Sequence, residues 1–230
     1  AYDTLLGDAQ LHYEAYRALL EALKQEIPGL VISMDVTRNS RPNFDFALDY
    51  GRLFLENRGR NIPDHRYYHP YMALGNLWYT LQYAPVSHCE IEMMPQAMDY
   101  PLEYILGTTI FASPLYWGVI DNTPAERQAE MKAFYQKIAP YRKKFAAGLT
   151  SAEGEMPGKG TWSAIVSVAP DGREGFIAVY RNGADQPDYE FSIPFGKEAR
   201  KIFGGGTARI EQEKLKVHLP EEFSCALYQF

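Results

Sequence analysis

Four short apolar segments, each followed by charged or aromatic residues, constrain the fold of this chain more than any other sequence feature. The clearest is Leu53–Leu55, which runs directly into Glu56, Asn57 and Arg58. The other three segments are Leu30–Met34, Val86–Met94 and Ser113–Gly118. Because stretches with helical periodicity separate them, the pattern predicts alternating strands and helices of a parallel β-sheet. In such sheets functional side chains gather at the carboxyl ends of the strands, so we expect a site there.

Length and composition limit the class of protein. The chain has 230 residues, of which 46% are hydrophobic, enough for one large domain or two smaller ones. Its net charge of -6 argues against nucleic acid or an anionic membrane as partner. No run approaches the roughly 20 apolar residues of a membrane span, and no cysteine or histidine spacing indicates a metal site. We expect a soluble protein without a cofactor, and the sequence leaves open whether it is periplasmic or cytoplasmic.

The helical periodicity ends after Phe145, and this change divides the chain. Residues 1–146 contain the strand–helix units, and residues 147–160, rich in Gly, Ala, Ser and Pro, are expected to form a linker. Residues 161–230 alternate apolar and polar side chains, which predicts a small antiparallel β-sandwich. The stretch Ala208–Leu219 is predicted as one of its strands. The fold class is therefore α/β followed by all-β.

This architecture resembles the second half of a melibiase-type barrel glycoside hydrolase, the clan of α-galactosidases and α-N-acetylgalactosaminidases. Leu30–Arg41 takes the place of the fifth strand of the (β/α)8 TIM-type barrel, with Met34-Asp35-Val36-Thr37-Arg38 where the family usually has a Glu-Cys-Cys or Gly-Gly-Arg type sequence. Tyr50–Arg60 takes the place of the sixth strand, with Glu56-Asn57-Arg58 where the family has its Ser-Asp-Asn-Thr-Asp type motif. The resemblance implies barrel units five to eight followed by a C-terminal β-sandwich.

The resemblance also implies action on α-linked sugars such as α-galactosides, with Glu56 as the general acid/base. A structural ion pair between Glu56 and a neighbouring arginine is the alternative. The candidates for substrate binding are Asp35, Arg38, Asn57, Arg58, His65, Glu90, Glu92, Tyr116 and Trp117. Glu90 and Glu92 have the same strand parity, so both face either the barrel interior or the outside. Tyr116 and Trp117 have opposite parity, so one is expected to face the ligand and the other to pack beneath a helix.

The family's nucleophile lies at the end of the fourth barrel strand, and this chain is expected to begin just after that point. Retaining glycosidases need two carboxyl groups about 5–5.5 Å apart across the sugar. We therefore expect a fragment that is inactive alone and is completed by a missing N-terminal half. The alternative is a non-catalytic carbohydrate-binding or assembly module derived from such a hydrolase. In both cases the open sheet predicts a protein partner, either the missing half-barrel or a second copy of the chain.

Overall fold

The computed structural model describes residues 6–35, 43–55, 68–97, 99–116, 118 and 120–230, without the side chains of residues 6–10, 35, 43–45 and 47. Helices and strands alternate in its first part: α1 (Leu6–Glu26), β1 (Ile32–Asp35), α2 (Asn43–Tyr50), β2 (Gly51–Leu55), α3 (Pro70–Thr80), β3 (Cys89–Met93), α4 (Leu102–Gly107), β4 (Ser113–Tyr116), α5 (Ala125–Ile138) and α6 (Arg142–Ala147). Within the described residues these four strands form one parallel sheet in the order β1-β2-β3-β4. Consecutive parallel strands with helical crossovers are the arrangement found in half of a barrel.

The two faces of the parallel sheet differ in chemistry. One face is buried beneath the helices and presents the apolar side chains Met34, Leu53, Leu55, Cys89, Ile91 and Met93. On the other face, Ser33 of β1 donates a hydrogen bond to Glu90 of β3, and Arg52 of β2 donates one to Ser113 of β4 (2.8 Å). Strands are spaced about 4.8 Å apart, so contacts that skip a strand require a sheet curved toward this face. Barrel interiors are layered in this way, by side chains from alternate strands. We call this the concave face.

Every residue from 120 to 230 is described, and the strands after α6 form two antiparallel sheets. The five-stranded sheet has the order β5 (Leu149–Gly154), β6 (Thr161–Val168), β7 (Gly175–Asn182), β12 (Phe223–Gln229) and β9 (Arg200–Gly204). The three-stranded sheet has the order β10 (Thr207–Glu211), β11 (Lys214–His218) and β8 (Asp188–Ser192). An apolar core that includes Trp162, Phe191 and Leu215 lies between them. The alternation of apolar and polar residues had predicted such a sandwich.

Two details of the sandwich differ from the sequence prediction. Residues 149–154, within the expected linker, form the edge strand β5 and pair along their whole length with β6. The expected single strand Ala208–Leu219 is instead a hairpin of β10 and β11. Its turn residues Gln212 and Glu213 have φ values of 52° and 60°. Because this left-handed backbone usually requires Asn or Gly, the sequence gives no turn signal at that point.

One continuous core joins the helices to the sandwich. The face of the five-stranded sheet that points away from the three-stranded sheet packs against the helices, so Tyr180 and Cys225 share a cluster with Tyr104. Tyr104 donates a hydrogen bond to Asn182 Oδ1 (2.6 Å), and Tyr180 donates one to the carbonyl of Gly107 (3.1 Å). A Cβ atom on Gly107 would lie 2.1 Å from Cys225 Sγ. The sandwich thus fixes the helices behind the parallel sheet.

Candidate functional site

The concave face carries a polar network to which all four strands of the parallel sheet contribute. Glu90 lies at its centre: Ser33 donates a hydrogen bond to one carboxylate oxygen, and Arg52 Nη1 lies 3.9 Å from the other. Arg52 also donates a hydrogen bond to Ser113 (2.8 Å). Because 11% of the Glu90 side chain and 37% of the Arg52 side chain are exposed, water only partly screens this ion pair. Barrel interiors are usually filled by Val, Ile and Leu. Here the network adds hydrogen-bonding groups beside Phe54 and Leu115, which the strand register places on the same face.

Glu90 and Glu92 both belong to the concave face, which answers the question that their shared parity left open. Glu90 pairs in register with Ser113, and Glu92 pairs with Leu115 on the same side of the sheet. The side chain of Glu92 lies deep, because the residue is 2% exposed. Its backbone carbonyl accepts a hydrogen bond from the hydroxyl of Tyr68 (3.5 Å), and burial raises the pKa of Tyr68. The binding of sugar hydroxyls by Glu90 or Glu92 stays a prediction.

Asp35 marks the carboxyl edge of the sheet. It is the last residue of β1 and pairs in parallel register with Phe54 of β2. Its backbone is therefore at the edge where the sequence predicts the site, while its side chain is outside the described residues. The remaining residues expected at this edge also lie outside the described residues: Arg38, Glu56, Asn57, Arg58, His65 and Trp117. Their catalytic and binding roles stay predictions.

Contacts with the beginning of α5 fix the carboxyl ends of β3 and β4. Tyr116, at the end of β4, packs against the core under the helices, and its hydroxyl is hydrogen-bonded to Thr123. Of the two positions that parity allowed for Tyr116, it therefore occupies the packing one. Arg127 of α5 donates hydrogen bonds to the carbonyls of Pro95 and Ala97 in the loop that follows β3. These contacts hold two neighbouring strand ends in fixed positions at the expected site.

An aromatic cluster connects the beginning of α3 to the sandwich. His69 Nδ1 lies 2.6 Å from the hydroxyl of Tyr100, and the His69 ring stacks on Tyr71 at a centroid distance of 5.1 Å. Phe223 of β12 contacts Tyr100 edge to face, with centroids 4.9 Å apart. Burial lowers the pKa of His69, which favours the neutral imidazole in this cluster. The position of α3 thus depends on contacts with the sandwich as well as with the sheet.

Three members of the concave face were not among the residues predicted for the site: Ser33, Arg52 and Ser113. A signal was present, because Ser33 and Arg52 are polar residues inside two apolar strands, at alternate positions from the buried Met34 and Leu53. The same alternation applied to β4 would have selected Ser113.

Two features are absent from the described part of the chain, a metal-binding cluster and a membrane-spanning helix. No group of three or more His, Cys, Asp or Glu residues there has a geometry that could hold a metal ion. The helices described there include none with the length and apolar character that crossing a membrane would require.

Solved structures provide the comparison that sequence does not, since no family model and no curated protein matches this chain. The α-galactosidase from Lactobacillus brevis matches 92% of the chain with a TM-score of 0.64 and 14% identity. A doubly substituted variant of the GH36 α-galactosidase AgaA from Geobacillus stearothermophilus, in complex with raffinose, matches 94% of the chain with a TM-score of 0.62 and 15% identity. The chain shares its fold with GH36 α-galactosidases.

This likeness confirms the resemblance to a melibiase-type hydrolase that the sequence indicated. The chain spans 30% of the length of each of those two GH36-fold α-galactosidases. A debranching enzyme from Nostoc punctiforme also matches, with a TM-score of 0.55 and 12% identity over 90% of this chain and 53% of that one. Because the identities are 12–15%, these comparisons establish the fold of the chain alone.

Proposed function

We propose that this chain is the C-terminal portion of a glycoside hydrolase acting on α-linked sugars such as α-galactosides. The observation that supports this most is the fold shared with GH36 α-galactosidases over 92–94% of the chain. One of them was solved in complex with raffinose. The polar concave face supports the same proposal, because charged and hydroxyl groups there suit a ligand that carries many hydroxyls.

In this proposal the chemistry takes place at the carboxyl edge of the sheet. Glu56 is the general acid/base, which protonates the glycosidic oxygen as the bond breaks and later removes a proton from water. Asp35 and Glu92 bind sugar hydroxyls, with Arg38, Asn57, Arg58, His65 and Trp117 around them. Glu90 has a different role, because Ser33 and Arg52 already engage its carboxylate. It maintains the polar layer beneath the sugar.

The isolated chain is inactive in this proposal. A retaining hydrolase needs a nucleophilic carboxylate about 5–5.5 Å from the general acid/base. That carboxylate comes from the other half of the barrel, so the chain supplies one of the two catalytic groups.

The test compares the isolated chain with the complete gene product on an aryl α-galactoside. We expect the complete protein to release the aryl group and the isolated chain to remain at the rate of buffer. In the complete protein, Glu56→Gln should lower kcat by about 10²–10⁴-fold, because the amide cannot transfer the proton. Glu130→Gln is the matched control, since Glu130 is an exposed carboxylate on α5, and kcat should not change.

Two outcomes would contradict the proposal in different ways. Turnover by the isolated chain that Glu56→Gln abolishes would place both catalytic groups within these 230 residues. A complete protein that binds sugars in a calorimetric titration but hydrolyses no aryl α-glycoside would instead be a carbohydrate-binding or assembly module.

A further inference from the structure

The outer face of the three-stranded sheet is built from polar side chains. Phe191, Leu215 and Val217 point inward and are buried between the two sheets, so the residues that alternate with them point outward. The strand register arranges these outward residues in three rows across β10, β11 and β8. The first row is Thr207, His218 and Asp188, the second is Arg209, Lys216 and Glu190, and the third is Glu211, Lys214 and Ser192. The five-stranded sheet lies between this face and the helices.

Ion pairs join the second row to the third. Lys216 lies 2.8 Å from Glu211 and 3.4 Å from Glu190, and Arg209 lies 2.6 Å from Glu211. Lys214 approaches the other oxygen of Glu190 (3.4 Å). Hydrogen bonds from Lys214 and Lys216 lower the pKa of Glu190, and the hydrogen bond to Glu211 raises the pKa of Lys216. These groups therefore stay ionised near neutral pH.

A groove crosses the sheet between the first row and the second. The first row is paired within itself, through the contact of His218 Nδ1 with Asp188 (2.9 Å). The groove has a volume of about 540 Å³, and its lining includes the strand positions between the two rows: Ala208, Val217 and Tyr189. Two residues along a strand span about 7 Å, and three strands span about 10 Å. The groove is therefore of a size that suits a small ring-shaped ligand.

The charges on this face balance one another. Counting His218 as neutral, the rows hold as many carboxylates as cations: Asp188, Glu190 and Glu211 against Arg209, Lys214 and Lys216. The ion pairs still have unused hydrogen-bonding capacity, because a carboxylate accepts up to about four hydrogen bonds and an ammonium group has several N–H donors. A charged ligand would have to displace one partner of an existing pair. Neutral hydroxyl groups can donate to the carboxylates and accept from the cations while every pair stays intact.

The triple glycine Gly204–Gly206 positions the β10 end of the groove. Gly206 has a φ of 62°, and a Cβ atom there would lie 2.0 Å from the carbonyl oxygen of His218. Lys201 donates a hydrogen bond to the carbonyl of Gly206 (2.8 Å). Glycine permits both this backbone conformation and this close approach. The crossing from β9 to β10 thereby brings Thr207 into register with His218 and completes the first row.

We propose that this groove binds a neutral saccharide. On the β8 side, the carboxylate oxygens of Asp188 and Glu190 accept hydrogen bonds from sugar hydroxyls. On the β10 and β11 side, Arg209 and Lys216 donate hydrogen bonds to sugar oxygens, and the hydroxyl of Thr207 contributes to the same contact. The groove is separated from the parallel sheet by the rest of the sandwich and the helices, so a sugar bound there leaves the carboxyl edge of that sheet free. The choice of an α-galactoside as the ligand rests on the proposed function, whereas the neutral class rests on the groove itself.

Titration of the isotopically labelled chain with raffinose, followed by nuclear magnetic resonance, tests this binding site. The backbone amide signals of β8, β10 and β11 should shift and reach saturation. Lys216→Ala should weaken binding about tenfold or more, because it removes a charged donor. Thr207→Val keeps the shape and every ion pair but removes a hydroxyl, and should weaken binding about fivefold. Lys143→Ala, at an exposed position of α6, is the matched control and should leave the affinity unchanged.

A pair of monosaccharides distinguishes a neutral ligand from an anionic one. Galacturonate carries a carboxylate where galactose carries a hydroxymethyl group. Galactose should shift the same amide signals as raffinose, and galacturonate should bind no more tightly than galactose.

Any of four results would overturn the proposal. Raffinose could leave the amides of the three strands unmoved, or Lys216→Ala and Thr207→Val could both bind it as the parent chain does. Galacturonate could bind more tightly than galactose. The same amides could also shift with protein concentration alone, which would make a second copy of the chain the occupant. Because the titration measures binding and not turnover, saturation of the groove together with no hydrolysis by the complete gene product would contradict the proposed function alone.

Discussion

Glu90 shows how a carboxylate is accommodated in a sheet whose other face is apolar. Its two oxygens have different neighbours, a serine hydroxyl from β1 and a guanidinium from β2. Removing one partner of a shielded pair leaves the other without compensation, and this is generally more destabilising than the pair is stabilising. Without the Glu90 carboxylate, the Arg52 guanidinium and the Ser33 hydroxyl would therefore each lose a polar partner.

The variant Glu90→Ala should lower the free energy of unfolding by about 1–3 kcal/mol, because Ser33 and Arg52 lose a charged hydrogen-bond acceptor. Urea titration followed by circular dichroism measures the change. Glu130→Ala, at an exposed position of α5, should change it by less than about 0.5 kcal/mol. Equal changes in the free energy of unfolding for the two variants would contradict this, because they would show that water replaces the Glu90 carboxylate without a loss of stability.

His69 gives the protein a pH dependence whose sign can be worked out. Burial lowers its pKa in the folded state, so the unfolded chain takes up the proton at a higher pH than the folded protein does. The stabilising contribution is therefore present above the ordinary histidine pKa of about 6.5 and is lost as the pH falls below it. The fall in Tm between about pH 7.5 and pH 5.5 should be smaller in His69→Asn than in the parent chain. His12→Asn, at an exposed position, should leave that difference unchanged, and an unchanged difference in His69→Asn would contradict the assignment.

The spacing of apolar residues predicted the helices and strands that have a regular pattern of their own. It did not predict elements that form only by pairing with a distant part of the chain. The helices that became α1, α3 and α5 and the four parallel strands could be located from apolar spacing. Strand β5 could not, because Leu149–Gly154 has the small polar composition of a linker and becomes a strand through pairing with β6. Alternation could have placed Ser33 on the face of β1 opposite the buried Met34, but its contact with Glu90 could not be predicted, because that contact forms only when the sheet curves. The residues expected at the catalytic edge are mostly outside the described part of the chain.

Helix α4 and strand β12 approach so closely that Gly107 is required between them. In Gly107→Ala the new Cβ would lie 2.1 Å from Cys225 Sγ, so overpacking should cost about 1–3 kcal/mol of unfolding free energy. Cys225→Ala removes the sulfur and should make Gly107→Ala less costly. A double-mutant cycle by urea titration should give a favourable coupling of about 1 kcal/mol or more. If the two substitutions have additive effects on the free energy of unfolding, α4 moves away from β12 to make room for the new Cβ, and the contact with Cys225 is not the source of the cost.

At the scale of the whole molecule, the parallel sheet and the sandwich are parts of one body. Residues from the helices, the parallel sheet and β12 belong to one apolar cluster. The sandwich has a second core between its own two sheets, but the other face of its five-stranded sheet packs against the helices. Residues 149–154 of the expected linker are a strand of that same sheet. The sandwich is therefore a support for the strand–helix half.

The isolated chain should therefore unfold in one cooperative transition. Trp78 reports on α3 and Trp162 on the core of the sandwich. The chain has 3 tryptophans, so Trp117→Phe is combined with either Trp78→Phe or Trp162→Phe to leave a single tryptophan in each double variant. Urea unfolding curves followed by the fluorescence of that tryptophan should have the same shape as the circular dichroism curve of the same variant. Distinct midpoints for the two probes in one variant would show that the sandwich and the strand–helix part unfold separately.

Among the described residues β1 lies at one end of the parallel sheet and pairs on one side, with β2. This edge has a consequence for the amount of the chain in a cell. An unpaired strand edge is a template for aggregation, and cells continuously remove aggregation-prone proteins through chaperones and proteases. The steady-state abundance of the chain would therefore depend on whether this edge is covered, as well as on the rate of translation.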